Sequence, residues 1–210
     1  MRKVFYLLIL ALVLSVASFA QSPKEIFRDS DGNLVSNNEF VDIRMANFNY
    51  PDATIIRTLA DGTKEFQLQK IPQEGMAAPA FTAKTLDGNR VDLTSLKGKV
   101  VVLNFWFIGC PSCRAHQPKL NELKAKFAGR DDVVFLAITA DPASDVNKYL
   151  SKERFDYPQT TDADALIKAF KVAVYPKNIV IDKNGEIVYW RSTIAAWDKF
   201  ESVIRTEIAK

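Results

Sequence analysis

Apolar positions along the chain fall into three regimes. Val4 to Ala17 is a continuous apolar stretch broken only by Ser15. From Gln21 to about residue 72 the apolar residues come in short β-prone runs. Thr54–Leu59 and Thr63–Leu68 flank Asp61-Gly62, a favoured two-residue hairpin turn, and Asp31-Gly32 precedes a mixed run, Phe40–Phe48. The Asp-Gly pairs are irregularly spaced, which argues against a repeat. Past the breaker-rich stretch Pro72–Pro79 the pattern changes again.

Phe81–Leu86 and Arg90–Leu93 around Asp87-Gly88 predict a hairpin. Val100–Phe107 and Val133–Thr139 are nearly unbroken runs of β-branched and aromatic residues, which predict strands buried on both faces. Between them His116, Leu120, Leu123 and Phe127 recur at helical steps and predict a helix over 113–127. Further helices are predicted over 144–154 and Asp164–Phe170. Ile179–Ile181 and Glu186–Trp190 flank Asn184-Gly185 as a hairpin, and Trp197–Ile208 closes the chain as an amphipathic helix. Strand, helix, strand, helix, then a terminal hairpin and helix describe an α/β layer fold with a mixed sheet. The expected division is 1–20 as a leader, 21–72 as a β-rich extension and 73–210 as the main domain.

The leader reads as a secretory signal peptide. Arg2 and Lys3 precede the apolar stretch, and Ser18-Phe19-Ala20 sets small residues at the −3 and −1 positions, so cleavage is expected after Ala20. Fourteen residues fall short of the ~20 needed to span a bilayer. A periplasmic or otherwise exported protein follows, with no membrane span after cleavage. The chain carries +3 in all, and +1 without Arg2 and Lys3, with no basic run that would call for nucleic acid. At 48% hydrophobic and 25% charged residues, disorder is excluded. Two cysteines and one histidine are too few for a Cys/His zinc site, so neither metal nor cofactor is expected.

Those two cysteines, Cys110 and Cys113, stand where the central strand turns into the helix. A thiol there meets unpaired N–H groups and the positive end of the helix dipole, which favour thiolate. Two intervening residues put both sulfurs on one turn, within reach of a disulfide that opens without large backbone movement. So short a loop removes little chain entropy, which makes the pair a poor staple and a good redox centre. Cys110 is expected to be the exposed nucleophile and Cys113 the resolving thiol.

The sequence resembles the thioredoxin superfamily, and within it the exported TlpA/ResA/DsbE-like thiol–disulfide oxidoreductases, related to the AhpC/TSA–redoxin domain. Gly75–Phe81, Asp87-Gly88, Leu96–Trp106, Cys110–Arg114, Tyr175-Pro176 and Ile179–Asp182 through Gly185 carry the likeness, which spans about 75–208. The resemblance implies a thioredoxin fold with a TlpA-like strand–helix insertion. It also implies a cis Pro176 beside the cysteines and a substrate groove formed by Tyr175, Pro176 and Trp106. Disulfide-containing exported proteins, apocytochrome c among them, are the implied substrates, and a membrane-embedded thiol donor the implied source of electrons.

Asn104 stands where plain thioredoxins carry a buried Asp, and Pro111-Ser112 offer no carboxylate between the cysteines. His116 and Asn104 are therefore the candidates for proton exchange with Cys113, with water as the alternative and core packing as the plainer role for His116. A thiol peroxidase is the alternative function. However, the residues three and seven before Cys110 are Phe107 and Leu103, not the Thr/Ser and Pro of the peroxiredoxin pattern. A copper-binding module ranks third.

Overall fold

The computed structural model describes residues 24–46, 54–68 and 70–210. The leader and its cleavage site lie outside the described residues, as does the end of the Phe40–Phe48 run. At the centre is a five-stranded mixed sheet in the order β11-β10-β7-β8-β9. Its members are β7 (Val100–Phe105), β8 (Val133–Ile138), β9 (Gln159–Thr160), β10 (Lys177–Ile181) and β11 (Ile187–Arg191). β7 runs parallel to β8 and antiparallel to β10, and β9 extends the parallel side.

All six residues of β7 are buried. Val101, Leu103 and Phe105 enter one core, while Val100, Val102 and the following Trp106 enter the other. A strand with a core on each face needs apolar residues at both parities, so its sequence runs continuously instead of alternating. Burial of each such side chain contributes roughly 1.5–3 kcal/mol. The second core is closed by α2 (Pro111–Ala125), α3 (Ala143–Leu150) and α5 (Trp197–Ala209), through Leu120, Leu123, Val146, Phe200 and Ile204. The first is closed by α4 (Asp164–Ala169), through Leu166, and by Phe170 just beyond it.

A four-stranded sheet precedes this body, in the order β2-β1-β4-β3, formed by β1 (Glu25–Arg28), β2 (Leu34–Val35), β3 (Ile55–Thr58) and β4 (Lys64–Gln67). The short hairpin β5 (Thr82–Lys84) and β6 (Arg90–Asp92) stands between the two sheets in sequence. The β-rich reading of 21–72 needs one correction: Phe40 to Met45 belong to a helix, α1 (Asn37–Met45). Ser36 caps it by accepting the Glu39 N–H at 3.1 Å. Ser36-x-x-Glu39 is a capping-box spacing, a helix-start signal that outweighs the β propensity of Phe40, Val41 and Ile43.

α1 ties the extension to the main domain at both of its ends. Phe40 and Ile43 join the first core alongside Val101 and Leu103, and Phe40 packs on Phe27 of β1 at 4.7 Å between ring centroids. The N-cap residue of α5, Ala196, has no side-chain cap of its own. Asp42 supplies one, accepting the Ala195 and Ala196 N–H groups at 2.8–2.9 Å. Burial nonetheless raises the Asp42 pKa, outweighing those donors and the nearby Arg191. At the other end the Ala46 carbonyl accepts from Lys177 Nζ at 2.6 Å, and Ser192 Oγ accepts from the same ammonium at 2.7 Å. That cation meets the negative end of the α1 dipole.

Lys177 is 2% exposed, and burial, then Arg191, lower its pKa to about 7. The unfolded lysine titrates near ~10.4. Between these values the unfolded chain holds a proton that the folded chain has released, so stability rises with pH across that window. Lys177→Met removes the titrating group. Urea unfolding from pH 6.5 to 9.5 is expected to show a rise of a few kcal/mol in the parent that is absent from the variant.

Candidate functional site

β7 ends at Phe105, and Trp106–Gly109 carry the chain to the start of α2. Cys110 is the N-cap residue of that helix and Pro111 lies in its first turn, where a missing N–H costs nothing. The helix therefore begins two residues before the expected position 113. Pro118 sits inside it, where proline withholds one intrahelical hydrogen bond.

Cys110 and Cys113 are joined as a disulfide with Cα atoms 5.3 Å apart. Cys110 Sγ also accepts the Cys113 N–H at 3.1 Å, so the first sulfur lies against an unpaired donor of the helix terminus. Contrary to the expectation of an exposed nucleophile, Cys110 is only 3% exposed and Cys113 1%. Gly109, Pro111 and Ser112 around them are exposed, so the pair lies just beneath a surface formed mostly of backbone and small side chains.

The Tyr175–Pro176 peptide bond is cis. Lys177 pairs with Phe105 across the sheet, so Tyr175-Pro176 leaves β10 at the same end at which Trp106-Phe107 leaves β7. The rings of Phe107 and Tyr175 meet edge to face at 5.3 Å. Phe107 also folds back over Gly109: a β-carbon at Gly109 would lie 3.4 Å from its ring. Phe107, 38% exposed, is thus an aromatic surface directly beside Cys110.

Trp106, expected as a groove residue, is fully buried. Its Nε1 donates to Gln159 Oε1 at 3.1 Å, and its ring packs on Tyr149 and Phe155. Burial of both faces removes it from any surface that a partner touches, so it forms the floor beneath the site. Phe107 replaces it as the aromatic at the rim. That exchange was concealed in the sequence, where either of two adjacent aromatics fits core or surface.

Neither proton-exchange candidate is free to move a proton easily. Asn104, 2% exposed, lies on the cysteine side of β7, but its Nδ2 donates to Asn178 Oδ1 at 2.8 Å, and an amide does not titrate near neutrality. His116 is half-buried on α2 and edge-on to Trp197 at 5.4 Å. Its Nδ1 has no hydrogen-bond partner. Burial lowers its pKa, which favours the neutral imidazole.

Asp141 joins the site from β8's exit. Its Oδ2 accepts the Ile108 N–H at 2.7 Å and the Thr139 hydroxyl at 2.9 Å. In sequence Asp141-Pro142 stands at a strand end that could face the site, with a surface turn as the plainer reading, and nothing local connects it to a loop 33 residues earlier.

His116 is the chain's sole histidine, so its titration can be followed without assignment. Its imidazole proton resonances in NMR are expected to titrate with a midpoint below the ordinary ~6.5. Because the unfolded chain takes up that proton first, this group lowers stability as pH falls through 6.5.

The comparisons with known proteins agree with one another. The Redoxin family profile matches residues 73–200. Thioredoxin-like protein YneN of Bacillus subtilis is 32% identical over 117 residues, covering 55% of this chain and 69% of that protein. Thiol-disulfide oxidoreductase ResA of Bacillus anthracis is 33% identical over 118 residues, covering 55% and 68%. Among solved structures, the thiol:disulfide interchange protein of the thioredoxin family from Chlorobium tepidum superposes with a TM-score of 0.56 at 25% identity, covering 66% of this chain and 99% of that one.

Proposed function

We infer that this chain, which belongs to the redoxin family and to the TlpA/ResA/DsbE-like branch of the thioredoxin superfamily, is a thiol–disulfide oxidoreductase working through Cys110 and Cys113. The observation that carries the reading is the disulfide closed on the first turn of α2, at the end of the sheet where Tyr175-Pro176 leads into β10. A helix terminus favours the thiolate that exchange requires.

In the reducing direction, the Cys110 thiolate attacks one sulfur of a substrate disulfide and expels the other as a thiolate that takes up a proton. Cys113, losing its proton to water, then attacks Cys110 Sγ in the mixed disulfide. The substrate leaves as a dithiol and the protein as its Cys110–Cys113 disulfide, with two electrons transferred. His116, three residues further along α2, is the side-chain alternative to water as acceptor of that proton. Tyr175 and Pro176, with Phe107 beside them, form the rim against which an extended substrate segment lies. Trp106 supports that rim from below.

The wider setting rests on the leader. Residues 1–20 act as a signal peptide cleaved after Ala20, and the chain works in an exported compartment where a close cysteine pair can be oxidised. Among the described residues no helix is long and apolar enough to cross a membrane. Reduction is the favoured direction, in keeping with the likeness to thiol-disulfide oxidoreductase ResA. Electrons then come from a thiol donor in the membrane, and substrates are exported proteins with disulfides to be opened, such as apocytochrome c. Residues 21–72 are a β-rich extension of the redox domain, and β9 with α4 is its TlpA-like insertion.

Insulin reduction and hydrogen peroxide consumption, measured side by side, test the reading. Insulin turnover is expected in the parent and absent from Cys113→Ser, which should instead accumulate mixed disulfides through Cys110. Rapid peroxide consumption, or undiminished insulin turnover in that variant, would overturn it. Phe107→Ala removes the rim aromatic and is expected to raise KM for insulin several-fold with kcat nearly unchanged.

A further inference from the structure

The loop that presents Cys110 is not held by its own residues alone. Cys110 N–H donates to the Phe107 carbonyl at 3.1 Å, closing a turn over Phe107–Cys110. Inside that turn the Ile108 N–H points away from the ring of atoms it closes and donates to Asp141 Oδ2. The same oxygen takes the Thr139 hydroxyl, and Thr139 Oγ1 accepts the Asp141 N–H at 3.1 Å, so the carboxylate is oriented from two sides. The Asp141 carbonyl accepts the N–H of Asp162, a residue held at φ 53°, where a side chain other than glycine's is uncommon. Asp162 Oδ2 in turn accepts the Ala143 N–H at 3.3 Å. One half-buried carboxylate is therefore hydrogen-bonded to the backbone of Ile108, two residues before the reactive cysteine.

We propose that Asp141 is a positioning residue for the redox pair. It holds the Phe107–Gly109 loop through Ile108, and its negative charge disfavours the Cys110 thiolate and so biases the pair towards giving up electrons. This rests on the oxidoreductase reading and adds a device that sets its direction. The physical sense is definite: whatever stabilises thiolate stabilises the reduced pair and makes it an oxidant, and a fixed carboxylate does the reverse. It acts against the positive end of α2.

The other charged or titratable groups around the loop do not cancel it. Arg114 is exposed and paired with Glu153 at 3.4 Å, and His116 is held towards its neutral form. Burial, with Asp164 and Asp141, raises the Tyr175 phenol, so that group stays neutral.

The test compares Asp141→Asn and Asp141→Ala in the full-length protein. Each is equilibrated with reduced and oxidised glutathione at pH 8. The dithiol fraction is read by alkylation and mass, and insulin turnover is measured in parallel. The reaction is protein disulfide plus two glutathione thiols giving protein dithiol plus glutathione disulfide. The amide keeps an acceptor for the Ile108 N–H but loses the charge. It is expected to raise the equilibrium constant for reduction three- to tenfold, about 15–30 mV, with a smaller loss of insulin kcat than the alanine variant shows. Alanine loses the tether as well, so kcat is expected to fall about tenfold while the equilibrium shifts in the same direction.

Equilibrium constants within twofold of the parent in both variants would overturn the proposal, as would equal kcat losses in both. If the alanine variant does not fold, the equilibrium constant of the asparagine variant decides alone. The glutathione equilibrium needs no protein substrate. A parent that leaves insulin untouched would thus refute the oxidoreductase reading without preventing the Asp141 measurement.

Discussion

The antiparallel pairing of β10 with β7 is the contact on which the site depends. Lys177 lies opposite Phe105 and Asn178 opposite Asn104, so both strands end together, one in the loop to Cys110 and the other at cis Tyr175-Pro176. A slip of one residue would reverse the side-chain parity of β10, exposing Ile179 and Ile181 to the wrong core and carrying Asn178 away from Asn104. The buried Asn104–Asn178 hydrogen bond opposes such a slip, because either amide left alone in that interior would cost about 1–3 kcal/mol. The pairing thus sets the sheet register and the rim of the redox site together.

Around this pairing the two faces of the sheet divide the work. The face carrying Val100, Val102 and Trp106 holds the disulfide and α2, with α3 and α5 closing over them. The opposite face carries Phe105 and Lys177 and is covered in part by α1 from the extension. α1 also provides the Asp42 cap that α5 lacks. The residue following cis Pro176 is consequently anchored through its ammonium to a helix from the other end of the chain. The extension has no visible chemistry of its own, yet it fixes the back of the strand that bears the proline.

Charges near the disulfide are arranged against each other. The α2 terminus favours thiolate at Cys110, whereas the Asp141 carboxylate beneath the loop opposes it. Of the nearby groups that can carry positive charge, His116 is held towards its neutral form by burial and Arg114 is exposed and paired with Glu153. Within that balance the oriented carboxylate acts towards giving electrons and the helix terminus towards taking them.

Much of this was legible in the sequence by itself. The two-faced burial of β7 and β8 is written in their continuous apolar runs, the helix after Cys110 in its 3.6-residue period, and the redox pair in two cysteines at a strand-to-helix junction. These are local signals, read over a few residues at a time. α1 was equally local, in Ser36-x-x-Glu39, and was obscured by β-prone Phe40 and Ile43. What only the tertiary structure decided are relations between distant residues. Trp106 went to the core and Phe107 to the rim because Tyr149, Phe155 and Gln159, more than 40 residues later, close around the first. Asp141 reached Ile108, Asp42 reached Ala196, and Lys177 reached Ala46 for the same reason. A hydrogen bond across the fold leaves no period or spacing in the chain, since its partners are brought together only when the hydrophobic layers pack.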